Sequence, residues 1–110
     1  MSEPAAASPR MTVVRDTVGI SLMGSEETHA ALELVRSSMP DATITDHDCF
    51  YKIERERLIE LDMAKLGEIL GRPITVAEFL VNMSTYYGRI VINDGILQIH
   101  SEILPARFRG

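Results

Sequence analysis

Asp94-Gly95 stands between two short runs of alternating apolar residues, Tyr87–Ile92 and Ile96–His100. Asp and Gly tolerate positive φ, and tight turns built from such residues match the twist of the strands they join. The end of the chain is therefore predicted as an antiparallel hairpin joined at Asn93-Asp94-Gly95. A second strand pair, Phe50–Glu54 and Leu58–Leu61, flanks a polar turn at Glu54–Arg57. Tyr51 and Ile53 share a face of its first strand, and Ile59 and Leu61 share a face of its second. Strands that follow one another directly pair mostly antiparallel, which excludes a doubly wound α/β fold.

Three helices and two further strands make up the rest. Thr12–Arg15 and Thr17–Met23 read as one opening strand, interrupted near Asp16 and ended by Gly24. Ser25 suits an N-cap, and Glu26 and Glu27 follow where the helix dipole favours anions. Leu32, Val35 and Met39 recur at helical spacing, and Pro40 stops the helix. Ala42–Thr45 reads as a short strand. Asp62 caps a helix with Met63, Leu66, Ile69 and Leu70 on one side, Gly71 at its end and Pro73 beyond. Thr75 and Glu78 have capping-box spacing for a short helix ending near Asn82. The expected fold class is α+β, one compact domain in the order β-α-β-β-β-α-α-β-β, a mostly antiparallel sheet with three helices. Residues 11–104 are its span, with tails at 1–10, where Ala, Ser, Pro and Glu cannot offset their ordering entropy, and at 105–110.

The 110 residues, 45% apolar, suffice for a core without a metal or disulfide staple. Cys49 is the single cysteine, which excludes a disulfide framework and multi-cysteine metal sites. Eleven scattered basic residues against 16 acidic ones give a net charge of −5, arguing against nucleic acid and anionic membranes as partners. There is no apolar run of transmembrane length and no secretory pattern at the start, so a cytoplasmic location is expected.

No catalytic, cofactor-binding or metal-ligating constellation is read. Glu26–His29 holds one Glu-x-x-His, whereas a di-iron bundle needs two, with further carboxylates. Asp46-His47-Asp48-Cys49 is a row of possible ligands that point to opposite faces of an extended chain. Cys49 is expected to be buried beside Phe50, and His100 exposed. Gly71, Gly88 and Gly95 are isolated and form no phosphate loop, although Gly88 permits close backbone approach. Tyr86 and Tyr87 could stack on a base or sugar, but the negative charge disfavours the base. These features describe a binding or regulatory module. The alternatives are an α+β domain binding a small-molecule metabolite, which requires a cleft with convergent polar groups, and a small enzyme using Tyr86 or His47 as acid–base group.

The stretch Leu66 to Ile90, LGEILGRPITVAEFLVNMSTYYGRI, carries a resemblance. A helix ends in Leu-Gly-Arg-Pro at Leu70–Pro73, a capped short helix bears Glu78, and Ser84, Thr85 and Gly88 follow. With Val18-Gly19-Ile20, Phe50–Leu61 and the final hairpin, it is similar to the coupling (effector, regulatory) proteins of bacterial multicomponent di-iron monooxygenases acting on methane, alkenes, phenol or toluene. The likeness spans roughly residues 17–102 and departs at Met39-Pro40, where some members carry Asn-Pro. It implies a cofactor-free protein that catalyses nothing alone. Such a protein docks on the di-iron hydroxylase, alters oxygen and substrate access, and couples NADH-derived electrons to hydroxylation or epoxidation. A reductase or Rieske ferredoxin competes for the same surface. The partner-binding residues implied are Arg72, Asn82, Ser84, Thr85 and Tyr86, with Met23 and Gly24 at the end of the first strand. Each has a plainer reading. Arg72 could compensate a helix dipole or meet a partner carboxylate. Asn82 and Ser84 could satisfy local backbone groups, and Met23 could fill the core. Glu26 and Glu27 could be solvated or meet a basic patch. Tyr87 is expected in the core.

Overall fold

Alternation places Val18, Ile20 and Leu22 on one face of β1 (Thr17–Met23), and all three are fully buried. The structure is a computed structural model and describes residues 16–101. The expected tails and Thr12–Arg15 lie outside the described residues. Ser25 caps α1 (Glu26–Ser38) by accepting from the Thr28 N–H. Leu32, Val35 and Met39 are buried as their spacing requires. β2 (Thr43–Asp46), β3 (Phe50–Glu56) and β4 (Leu58–Asp62) follow. Asp62 then caps α2 (Met63–Leu70) through the Ala64 N–H, and Gly71 ends it at φ 90°. Thr75 and Glu78 close the expected capping box on α3 (Val76–Leu80). β5 (Met83–Tyr87), β6 (Arg89–Asn93) and β7 (Ile96–His100) complete the chain, with Asp94 and Gly95 at positive φ in the turn.

The strands form two antiparallel sheets, ordered β2-β3-β1-β5 and β4-β7-β6. The sheets meet through β1, β4 and β7, and α1 packs on α2 and β4. Val18, Leu22, Val35, Ile53, Leu61, Leu66, Phe79, Leu97 and Ile99 form one continuous core. The α+β class and the order of elements hold, with one more strand than expected.

Two boundaries differ from expectation. Glu54–Arg57 is not a broad turn: β3 continues to Glu56, and Arg57 alone, at φ 74°, separates it from β4. The strands on either side enter different sheets, tied near Arg57 by its N–H to Asp16 O and by Ser101 N–H to Arg57 O. Similarly, Tyr87–Ile92 is not one strand. Gly88, at φ 122°, redirects the chain so that β5 pairs with β1 and β6 with β7. A Cβ at Gly88 would stand 2.7 Å from Ile99 Cγ2 and 2.8 Å from His100 O, so only glycine fits the passage.

Candidate docking surface

Met23 ends β1 with its backbone bonded on both sides. Its N–H donates to Asn82 O at 2.7 Å, and its carbonyl accepts from the fully buried Thr28 hydroxyl. The side chain is nevertheless 53% exposed, on the face opposite Val18, Ile20 and Leu22. Met23 is thus an apolar group on a fixed backbone and not a core filler. Gly24 beside it is exposed, with open space where a Cβ would be.

Asn82 lies against this strand end. Its side-chain amide donates to Phe79 O at 3.1 Å, closing the end of α3. Residues 84–86, expected in a loop, belong to β5. Ser84 falls at the register shift between Ser21 and Leu22 and donates its hydroxyl to Ser21 O at 3.3 Å. Thr85 pairs with Ser21 and Tyr86 with Ile20, and both are exposed because β5 is an outer strand of its sheet. The plainer readings of Asn82 and Ser84 as local backbone partners are therefore realised, and Thr85 and Tyr86 remain open to solvent.

Tyr87 is not a core residue. Its ring lies across Gly19, where a Cβ would stand 2.4 Å from Cε1 and Cζ, and its hydroxyl donates to Glu54. Lys52 Nζ lies 5.6 Å from the ring centroid, at cation–π range, and 3.6 Å from Glu54. Gly19 is thereby required by the flat seat of an aromatic ring on the outer sheet face.

Arg72 follows the Gly71 cap. Its N–H donates to Gly67 O at 3.1 Å, and Pro73 restricts the backbone beyond. The half-exposed guanidinium turns to the start of α1, where Nη2 donates to Glu27 Oε2 at 2.7 Å and lies 3.9 Å from Glu26 Oε1. The hydrogen bond from Arg72 holds the Glu27 carboxyl below its ordinary range, and the Arg72 value rises in return. Glu26 and Glu27 are thus occupied by a cation of the same chain. The ion pair brings Arg72 to within a few residues of Met23 and Gly24, and the backbone bond brings Asn82 there too. Arg72, Met23, Gly24, Asn82 and Ser84 share one end of the molecule, while Thr85 and Tyr86 run away from it along β5.

A family model described as the MmoB/DmpM family matches residues 16–100. The chain belongs to the MmoB/DmpM family. Methane monooxygenase regulatory protein B of Methylosinus trichosporium is 31% identical to it over 94 residues, covering 81% of this chain and 68% of that protein. The protein of the same name from Methylococcus capsulatus (Bath) is 28% identical over 95 residues, covering 81% and 67%. Among solved structures, that of soluble methane monooxygenase regulatory protein B superposes with a TM-score of 0.66 at 27% identity, over 86% of this chain and 72% of that one. A chain in a phenol hydroxylase–regulatory protein complex shares the fold, with a TM-score of 0.70 at 23% identity over 76% and 97%.

The MmoB/DmpM fold also displays a residue that sequence reasoning missed. Val81 directly follows α3 and is 81% exposed, next to the Asn82 that holds Met23. The available signal was its position: Val76 and Phe79 define the buried side of α3, and Val81 falls off that stripe. Among the other flagged groups, Cys49 is exposed and not buried, because Asp48 at φ 72° turns the chain just before it. His47 stacks on Phe50 at 4.6 Å, and His100 bonds Gln98 at 2.9 Å. Among the described residues no three His, Cys, Asp or Glu side chains gather as metal ligands.

Proposed function

We propose that this MmoB/DmpM chain is a cofactor-free regulatory component of a multicomponent monooxygenase. It docks on the di-iron hydroxylase and biases that partner's conformation, and with it oxygen and substrate access and the coupling of NADH oxidation to hydroxylation or epoxidation. The observation that carries the reading is the 31% identity, over most of the chain, to a protein named as a methane monooxygenase regulatory protein. The surface that serves it is the rim of Met23, Gly24, Arg72 and Asn82 with Ser84, Thr85 and Tyr86 along β5. The exposed apolar Met23 and the half-exposed Arg72 are of the residue types enriched at interfaces. A reductase or Rieske ferredoxin competes for the same surface of the hydroxylase.

The mechanism is differential binding. A module without reactive machinery changes a partner's rate only by holding one of its conformations more tightly than another. Each tenfold shift needs ~1.4 kcal/mol of difference, which a few well-ordered anchors supply. An open groove of about 650 Å³ is lined by Arg72 with Asp62, Glu68 and Asp94 as well as by Gly67 and Pro73, so charged groups border the proposed contact. No helix among the described residues is long and apolar enough to cross a membrane; a cytoplasmic location, shared with the hydroxylase, is part of the proposal. The test is sedimentation of the chain with its cognate hydroxylase. A saturable complex is expected, and its absence overturns the reading.

A further inference from the structure

Arg72 is fixed at both ends. Its backbone N–H is bonded to Gly67 O, and Pro73 restricts the next residue. Its guanidinium is gripped at Nη2 by a carboxylate 45 positions away in sequence. Nη2 carries the contacts to both Glu27 and Glu26, so Nε and Nη1 have no hydrogen-bond partner among the described residues. A guanidinium has five donor N–H groups in a rigid fork, so three remain on offer from a side chain already deprived of much of its freedom. Ordering an arginine in advance removes part of the entropic cost of binding.

The surroundings narrow what those donors meet. Glu26 and Glu27 lie at the guanidinium, and Glu78 is near enough to influence it while its own Oε1 accepts from the Thr75 N–H. Three carboxylates around one cation would repel a fourth. The complement is therefore a neutral oxygen acceptor, such as main-chain carbonyls at the end of a helix.

We infer that Glu27 is a positioning residue, one that holds Arg72 so that Nε and Nη1 face outward to neutral carbonyl acceptors on the docking partner. This rests on the reading of the chain as a hydroxylase-binding component, and it assigns Glu27 a part in docking that its own contacts with a partner do not require.

The test is a cycle of variants titrated against the cognate hydroxylase. Glu27→Gln and Arg72→Ala each weaken docking by about tenfold, the loss of one charge-assisted contact. Glu27→Gln adds nothing further in the Arg72→Ala background. The exchanged pair Glu27→Arg with Arg72→Glu restores the internal tie and the melting temperature but not docking. The Arg72→Ala loss keeps its size between about 50 and 300 mM salt, where a contact between full charges would fade. Equal losses from Glu27→Gln in both backgrounds, tighter docking by Glu27→Gln, recovery of docking in the exchanged pair, or a loss that disappears with salt each overturn the inference. Failure of the wild-type chain to dock overturns it together with the proposed function, a result distinct from any of these.

Discussion

Tyr87 covers Gly19 so closely that the two residues act as one unit. Gly19→Ala must swing the ring off its seat and off Glu54, because the new Cβ would meet Cε1 and Cζ at 2.4 Å. The ring is partly exposed and can move, so the expected cost is about 1 kcal/mol, that of a lost hydrogen bond. In a Tyr87→Ala background the same change should cost nothing measurable by urea unfolding. Thr28 is the second such position. Its buried hydroxyl satisfies the Met23 carbonyl, and Thr28→Val leaves that carbonyl without its donor at a cost of about 1–3 kcal/mol. Glu27 gives a pH prediction. Its folded value is lowered from an ordinary 4.5, first by the hydrogen bond from Arg72 and then by backbone contact, against an opposing desolvation. A lowered carboxyl stabilises the fold fully above its unfolded value and loses that contribution as pH falls through the folded one. The stability difference between wild type and Glu27→Gln should thus be full at neutral pH and shrink as pH drops below 4.5.

At the level of elements, the joint between the two sheets is the most vulnerable place. Gly88→Ala forces a side chain into φ 122° and against Ile99 and His100. Strain and overpacking together should cost about 3 kcal/mol, seen as a lowered urea midpoint. Helix ends and the final turn were legible in the sequence because their chemistry is local. Ser25, Asp62 and the Thr75–Glu78 pair each satisfy N–H groups within three residues, and Asp94-Gly95 needs only its own φ angles. The break at Gly88 was not legible, since a lone glycine in an apolar run looks the same in a continuous strand and at a sharp redirection. Nor was the separation of β3 from β4, because partner choice among strands depends on distant residues such as Asp16 and Ser101. The candidate surface divides the same way. Its residues could be named from motif order, but the ties that assemble them, Arg72 to Glu27 and Met23 to Asn82, join positions far apart in the chain.

For the molecule as a whole, the arrangement is a rigid core that presents a few ordered groups at one end. Met23 projects from a backbone bonded on both sides, and Arg72 from a capped helix end pinned to α1. Under the proposed function, such a surface favours the partner conformation whose groups it fits. On that same proposal, this grip, and no chemistry of the chain itself, changes what the partner does. The most direct measurement is product formed per NADH consumed by the cognate hydroxylase and its reductase as the chain is titrated in. The ratio should rise and saturate with occupancy of the hydroxylase, whereas a ratio unchanged across the titration, or turnover of substrate by the chain alone, would overturn the proposed function.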